Sequence, residues 1–434
     1  MDSRLGEFRF SRRAGRTIDQ PISHLMRLAL EQPGLISLAA GFVDDATLPT
    51  MEAGDLMRGL MAGPAGARAL QYGTTIGLRA LRRAVLGHVA RMDGVTPARL
   101  AAHEDQVVIT TGSQQLLYLL TDLLVDEGDI VITAWPSYFV YTSLLPTFGA
   151  TVRCVEQDEE GIKVEALAAL LQEIEAAGQI ERVKILYLCS YFENPTGLTL
   201  SARRRPQVLD LVRRYSRRQR ILLLEDAAYR ELAYPGPGSR GWPASLRSLD
   251  DSGALVAYAG TFSKPFAPGL KTGYGLLPAD LVEPLLLAKG SHDFGSANLG
   301  QHLLYEALAS GVYQRHVAQL RRAYAAKRDA MLGALQEHLG GGQAQWTRPE
   351  GGLYVFVTLP PAPGPGIDTG PEGRLFRAAL EAGVLYVPGA YCYPQDPARR
   401  APVNTMRLSF GVPSVEEIRE ALRRLARALR EVAG

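Results

Sequence analysis

The chain has 434 residues, 47% hydrophobic and 21% charged, which excludes a small stapled scaffold or a disordered chain and leaves room for roughly two to three domain-sized units. Lys and Arg (47) nearly balance Asp and Glu (45), so the net charge of +2 gives no whole-chain field for nucleic acid or an anionic membrane. Three cysteines, Cys154, Cys189 and Cys392, stand far apart in no zinc spacing and no disulfide framework, as expected of buried small hydrophobes in a reducing compartment.

The first sixteen residues carry arginines without an apolar stretch, so no secretory signal is expected. An organelle transit peptide is the other reading, against which Asp2 and Glu7 interrupt the basic run. No apolar run approaches the ~20 residues of a membrane span, and the expected location is the cytoplasm. Leu78, Leu81, Val85, Val89 and Met92 step by 3, 4, 4 and 3 and mark one helix face. Val107–Thr110 reads as a strand, followed by a helix over Gln114–Val125 with Ser113 at its N-cap. Further strands are predicted at Ile130–Thr133, Lys184–Leu188, Ile221–Leu224, Leu255–Ala259 and Tyr274–Leu277, several as unbroken Leu or β-branched runs that suit burial on both faces. Apolar runs alternating with helical patterns predict a mainly parallel sheet covered by helices. Gly340–Gly342 and Pro360–Gly366 read as loops. Ser414-Val-Glu-Glu417 is a capping box opening a last helix, with Ile418, Leu422, Leu425, Leu429 and Val432 on one face. The expected division is an N-terminal segment (1–54) packing with the smaller domain, a large α/β domain (55–305), and a connecting helix with a smaller α+β domain (306–434).

Chemistry-bearing strings follow the predicted strands. In Thr110-Thr-Gly-Ser-Gln-Gln115, Gly112 admits close backbone approach, and Ser113 with the first-turn N–H groups makes an anion site; simple N-capping gives the same string. Trp135-Pro-Ser-Tyr138 sets an aromatic ring where it either stacks on a planar heterocycle or fills the core. In Ser190-Tyr-Phe-Glu-Asn-Pro-Thr-Gly197, Asn194 is held extended by the following proline and offers its amide, unless the string is only a turn. Leu224-Glu-Asp-Ala-Ala-Tyr229 leaves Asp226 at the carboxyl end of a strand, where open α/β sheets bind ligands. A buried Asp there needs a cation such as a protonated pyridine nitrogen, or else caps a helix. Lys264, within Gly260–Tyr274, follows a strand among small residues and prolines. Such a lysine forms a Schiff base with an aldehyde cofactor when desolvation and nearby cations lower its pKa; otherwise it is an exposed loop lysine. Thr261, Ser263 and Lys271 add hydroxyls and a cation suited to a phosphate. The seven histidines, His292 and His302 included, show no paired metal spacing, so no metal is expected. The arginine runs at 203–205 and 213–218 read as solvated helix faces, not a nucleic-acid patch.

Together and in this order, over roughly residues 30–430, these strings resemble the class I/II aminotransferases among the fold-type I pyridoxal-phosphate (PLP) enzymes. The nearest branch is that of the 2-aminoadipate and kynurenine aminotransferases, which is also the catalytic half of MocR-type regulators. The resemblance implies a large domain with a mainly parallel seven-stranded sheet between helices, and a smaller α+β domain. It implies PLP carried by Lys264, which would also move the substrate proton, with Asp226 on the ring nitrogen and Asn194 and Tyr229 on the phenolic oxygen. Tyr138 would stack on the ring, while Gly112, Ser113, Gln114, Thr261, Ser263 and Lys271 would hold the phosphate. Asn404-Thr-Met-Arg-Leu-Ser-Phe-Gly411 nominates Arg407 for the substrate α-carboxylate, with Gly41 and Asn194 beside it. Gln71-Tyr-Gly-Thr-Thr-Ile-Gly77 nominates Tyr72 for the neighbouring subunit's phosphate, hence a homodimer with shared sites.

Two departures from the family pattern stand out. Lys271 occupies a position that is Arg in most relatives, keeping the charge and losing the planar fork, which predicts altered phosphate geometry. The position that meets an acidic substrate side chain falls near Ser23, with Arg27 close by, so a dicarboxylic preference does not follow. The implied activity is ping-pong transfer of an amino group from an L-amino acid to a 2-oxo acid. A PLP-dependent lyase or an oxygen-using oxidase or hydroxylase on the same scaffold is the alternative. A ligand-sensing module of the MocR type is a third reading, for which the about thirty residues before Leu35 are too few to form a DNA-binding domain.

Overall fold

Eight strands form the central sheet of the computed structural model, which describes residues 8–18, 21–32, 34–100, 103–234, 242–361 and 366–433. They are β1 (Val107–Thr110), β2 (Ile130–Trp135), β3 (Thr151–Asp158), β4 (Gly161–Ile162), β5 (Val183–Cys189), β6 (Leu222–Asp226), β7 (Val256–Thr261) and β8 (Gly273–Leu276). Their order is β1-β8-β7-β6-β5-β2-β3-β4, parallel from β7 across to β3 and antiparallel at β8 and β4. The six predicted strands lie within a residue or two of these bounds. The sheet is mainly parallel as expected, with eight strands where seven were expected; the extra one is the two-residue β4, paired back onto β3. β6 and β7 are buried at every position, which is why their unbroken apolar runs were readable. β3 has exposed and half-buried positions mixed into its run, and its sequence, Thr-Val-Arg-Cys-Val-Glu-Gln-Asp, gives no such signal.

A second, antiparallel sheet contains β9 (Gln345–Trp346), β10 (Tyr354–Thr358), β11 (Val387–Pro388) and β12 (Thr405–Ser409), in the order β9-β10-β12-β11. Ile36–Ser37 pairs in parallel with Val384–Leu385 and ties the N-terminal segment to this smaller unit. Five helices matter below: α1 (Pro21–Glu31), α2 (Arg79–Asp93), α3 (Gly112–Leu124), α4 (Val312–Leu339) and α5 (Val415–Ala433). The 28-residue α4 connects the two sheets, and α5 packs along it with Ile418, Leu422, Leu425 and Leu429 buried. The capping box forms: Glu417 N–H donates to Ser414 Oγ at 3.1 Å and Ser414 N–H to Glu417 Oε2 at 2.7 Å.

Two local expectations change, and a third lies partly outside the described residues. Ser113 lies inside the first turn of α3, whose N-cap is Thr111. The arginine run at 203–205 is no solvated face: Arg204 binds Asp158 with its side chain buried, and Arg205 forms a fully buried pair with Glu225 at 2.9 Å. Within the predicted loop Pro360–Gly366, residues 362–365 lie outside the described residues. All three cysteines are buried free thiols. Among the described residues no helix is long and apolar enough to cross a membrane.

Candidate active site

The direction of the strands decides where the candidate residues meet. β1, β2, β5, β6 and β7 all end on the same edge of the sheet, and β8 enters from that edge, its Gly273 in register with both Thr110 and Thr261. Peptide units pointing one way and unpaired loops after each strand make this edge the binding edge of an open α/β sheet.

Asp226 ends β6 between Cys189 and Ala259 and is only 3% exposed. Its Oδ2 accepts from the Tyr187 hydroxyl at 2.9 Å and its Oδ1 from Ala228 N–H at 3.0 Å. Both donors are neutral, and among the described residues no cation pairs with it. Burial therefore pushes its carboxyl up to about 6, the two hydrogen bonds pulling the other way. Lys264 follows β7, half-buried, and donates from Nζ to Gly41 O at 2.6 Å. Burial lowers its ammonium to about 8, with repulsion from Arg407 and Lys271 adding to the effect. Its Nζ lies 6.0 Å from the centroid of the buried Tyr229 ring. The Tyr138 phenol is raised by burial and then by the charge of Asp226, while Arg407 lowers it, so this hydroxyl feels both the acid and the guanidinium.

Arg407, on β12, is 1% exposed and links three parts of the chain. It donates from Nη1 to Asn194 Oδ1 at 2.9 Å and from Nη2 to Ala39 O at 2.6 Å; its guanidinium carbon lies 4.4 Å from the Tyr354 ring centroid and 5.4 Å from that of Phe139. Its Nε has no partner, and among the described residues no acid pairs with the group. Asn194 turns its carbonyl oxygen to Arg407, which leaves the amide nitrogen as its donor end.

The start of α3 lies on the same edge. Gly112 sits at φ +69°, and a Cβ at Gly273 would lie 2.5 Å from Gly112 C and Ser113 N, so only glycine lets β8 pass this close beneath the helix start. First-turn N–H groups lack intrahelical partners. Beside them, Thr261 Oγ1 lies 3.0 Å from Ser263 Oγ, Gln114 Oε1 is buried without a partner, and Lys271 is exposed at φ +47°. Tyr72 is not brought to these residues: it is 85% exposed, edge-on to Phe294 at 5.8 Å. Ser23 and Arg27 are both exposed, Arg27 turning to His24, while α1 directs Ile22, Leu25 and Met26 into a groove of about 260 Å³ beside Ala39, Ala40 and Phe42.

Sequence reasoning missed Tyr187, Tyr354 and Phe139. Each stands within or beside an apolar run where a tyrosine or phenylalanine reads as core, so no local signal separates it from packing.

The edge thus brings an amine held below its ordinary basicity near an arginine that has no acid partner among the described residues, a pairing suited to carboxylate-bearing amines or carbonyls. Comparison with known proteins narrows this: residues 33–425 match the family model "Aminotransferase class I and II". The chain is 33% identical over 410 residues to aromatic-amino-acid aminotransferase 1 of Thermococcus litoralis, covering 94% of this chain and 91% of that one. The crystal structure of Pyrococcus horikoshii kynurenine aminotransferase in complex with PMP superposes with a TM-score of 0.86 at 32% identity, covering 97% of each chain. That of α-aminoadipate aminotransferase from Thermus thermophilus, complexed with N-(5'-phosphopyridoxyl)-L-leucine, gives 0.81 at 32% identity over 98% of each. The chain belongs to the class I and II aminotransferases, and it is an enzyme of amino-group transfer. Nothing in these comparisons favours a lyase, an oxidase or a sensing module.

Proposed function

We propose that the chain moves an amino group from an L-amino acid to a 2-oxo acid in two half-reactions, at a PLP site on the edge described above. The observation that carries this reading is one pair of misfit charges: a lysine lowered to about 8 and a buried acid raised to about 6 that has no cation beside it among the described residues. A protonated pyridine nitrogen supplies the counterion Asp226 lacks, and the α3 cradle with Gln114, Thr261, Ser263 and Lys271 suits a phosphate. When bound, PLP supplies an aldehyde that takes up amino groups and a protonated ring that draws electrons from the substrate α-carbon. Arg407 orients the substrate: of its five N–H groups two are committed to Asn194 and Ala39, and the rest remain for a carboxylate. Lys264 holds and moves the α-proton, a role helped by burial and by the Arg407 and Lys271 charges, which lower its basicity toward neutral pH. Tyr138 would hold the cofactor ring from one side, and the Asn194 amide and Tyr229 hydroxyl would be its donors. Gly41 lines the substrate side.

The exposed Leu70, Tyr72 and Phe294 support a homodimer in which Tyr72 completes the partner's phosphate site. The apolar inner face of α1 supports apolar or aromatic donors over dicarboxylic ones. The large domain is taken as 55–305 and the smaller as 306–434 with 1–54 packed on it, which the pairing of Ile36–Ser37 with Val384–Leu385 supports.

Absorbance spectroscopy tests the reading. Adding PLP should give a visible band that Lys264→Ala lacks, and an amino donor alone should convert the band with one equivalent of pyridoxamine phosphate per site. Ammonia release with the band regenerated would replace transfer by lyase or oxidase chemistry. A wild type that stays colourless with PLP would overturn the site.

A further inference from the structure

We propose that Tyr354 is a positioning residue: its hydroxyl donates to the Tyr229 hydroxyl and so turns Tyr229's own hydrogen toward the phenolic oxygen of the cofactor. The inference rests on the PLP reading above and adds to it a residue from the smaller sheet. The two hydroxyl oxygens lie 3.0 Å apart, and the rings meet edge-on at 79° with centroids 5.5 Å apart, 1% and 5% exposed. Packing on this scale fixes the pair.

Two hydroxyls sharing one hydrogen bond leave one O–H over. Among the described residues neither hydroxyl makes another hydrogen bond. Left on Tyr354, the spare hydrogen would face Gly41, where a Cβ would stand 2.8 Å from the tyrosine oxygen and where no acceptor is paired with it. A buried O–H without an acceptor is costly. Left on Tyr229, it faces the Lys264 side of the site, where the cofactor oxygen would accept it. The field agrees with this direction. Burial raises both phenols, Tyr229 the further, and Arg407, 4.4 Å over the Tyr354 ring, pulls against the rise there, which leaves Tyr354 the stronger donor of the two. Tyr354 and Arg407 lie diagonally on neighbouring strands, since Phe356 pairs with Arg407 and Tyr354 with Ser409. The charged and titratable groups around the pair are Arg407 on β12, Cys189 on β5, Cys392, Tyr138 and Lys264.

Donation to the phenolic oxygen stabilises negative charge there, so the loaded site gives up its proton at lower pH. The test is the pH titration of the visible band in PLP-loaded wild type, Tyr354→Phe, Tyr229→Phe and the double variant. Tyr354→Phe should raise the midpoint by about 10–30% of the rise in Tyr229→Phe, the share expected from hydrogen-bond cooperativity. In the Tyr229→Phe background it should add no shift. The KM for the amino donor should change by no more than about twofold, because the ring beneath Arg407 stays, whereas Tyr354→Leu should also raise KM. An unmoved midpoint in Tyr354→Phe, or an equal shift in both backgrounds, overturns the inference and leaves the PLP site standing. A wild type that binds no PLP overturns both.

Discussion

Replacing Asp226 by Asn should make the cofactor-free protein more stable and the loaded enzyme much worse. The carboxyl is held at about 6 against an ordinary 3.8, so the folded state binds its proton more tightly than the unfolded state does. Stability therefore falls as pH rises from about 4 through 6 and is level above about 7. At about 1.4 kcal/mol per pKa unit, the ionised acid costs the fold on the order of 3 kcal/mol at pH 7.5 and roughly half of that at pH 5. The bonds from Tyr187 and Ala228 are already contained in the position of the carboxyl, so they offset nothing further when Asn replaces it. The gain in Asp226→Asn is therefore on the order of 3 kcal/mol at pH 7.5 and roughly half of that at pH 5. In the loaded enzyme the sign reverses: removing one partner of a buried charge pair costs about 3–5 kcal/mol, or roughly a 10²- to 10⁴-fold loss in kcat/KM. Urea unfolding of the two cofactor-free proteins between pH 5 and 8, with steady-state kinetics of the loaded ones, measures both arms. An Asp226→Asn protein less stable than wild type at pH 7.5, or a stability gap that does not change with pH, refutes the argument that burial without a counterion sets this acid.

Arg407→Lys keeps the charge and loses the fork that Asn194 and Ala39 hold in place; KM for both the amino and the oxo substrate should rise about 10- to 100-fold with a smaller fall in kcat, and a loss confined to kcat in steady-state assays would tell against a carboxylate-binding role. Mixing Lys264→Ala subunits with Tyr72→Phe subunits should restore about one wild-type site per mixed dimer, because the intact lysine and the intact tyrosine then meet across the interface. Activity of the mixture that stays at the mean of the two parents would mean that each subunit serves only itself.

What could be read from the chain, and what could not, divides along the two sheets. Asp226 closes a buried strand directly after Glu225, and Asn194, Lys264 and the Gly112 turn come within a few residues of largely apolar, buried strands, so the first polar residues stand out at the carboxyl end of each. The edge where they meet follows from parallel strands alone. Arg407 is different. It sits in mid-strand, flanked by Met406 and Leu408, and only the family pattern nominated it; its contacts to Asn194 and Ala39 run across 213 and 368 residues. Tyr354 carried no signal at all, because an aromatic residue after Gly351-Gly-Leu353 at the head of an apolar strand reads as core, and core is also where it packs.

The contrast has a physical origin that bears on how the site works. Residues of the large sheet owe their placement to local strand ends, whereas Arg407 and Tyr354 reach the site because β10 and β12 lie side by side over the Ala39–Gly41 segment, which is itself held through Ile36–Ser37 on Val384–Leu385. The guanidinium proposed for the substrate carboxylate and the hydroxyl proposed to orient Tyr229 are thus mounted on one small antiparallel sheet. A displacement of that sheet would move both together, taking the guanidinium from Asn194 as the Tyr354 hydroxyl leaves Tyr229. On the proposed reading, substrate binding and the electron demand on the cofactor ring would be coupled through packing, with no separate relay between them.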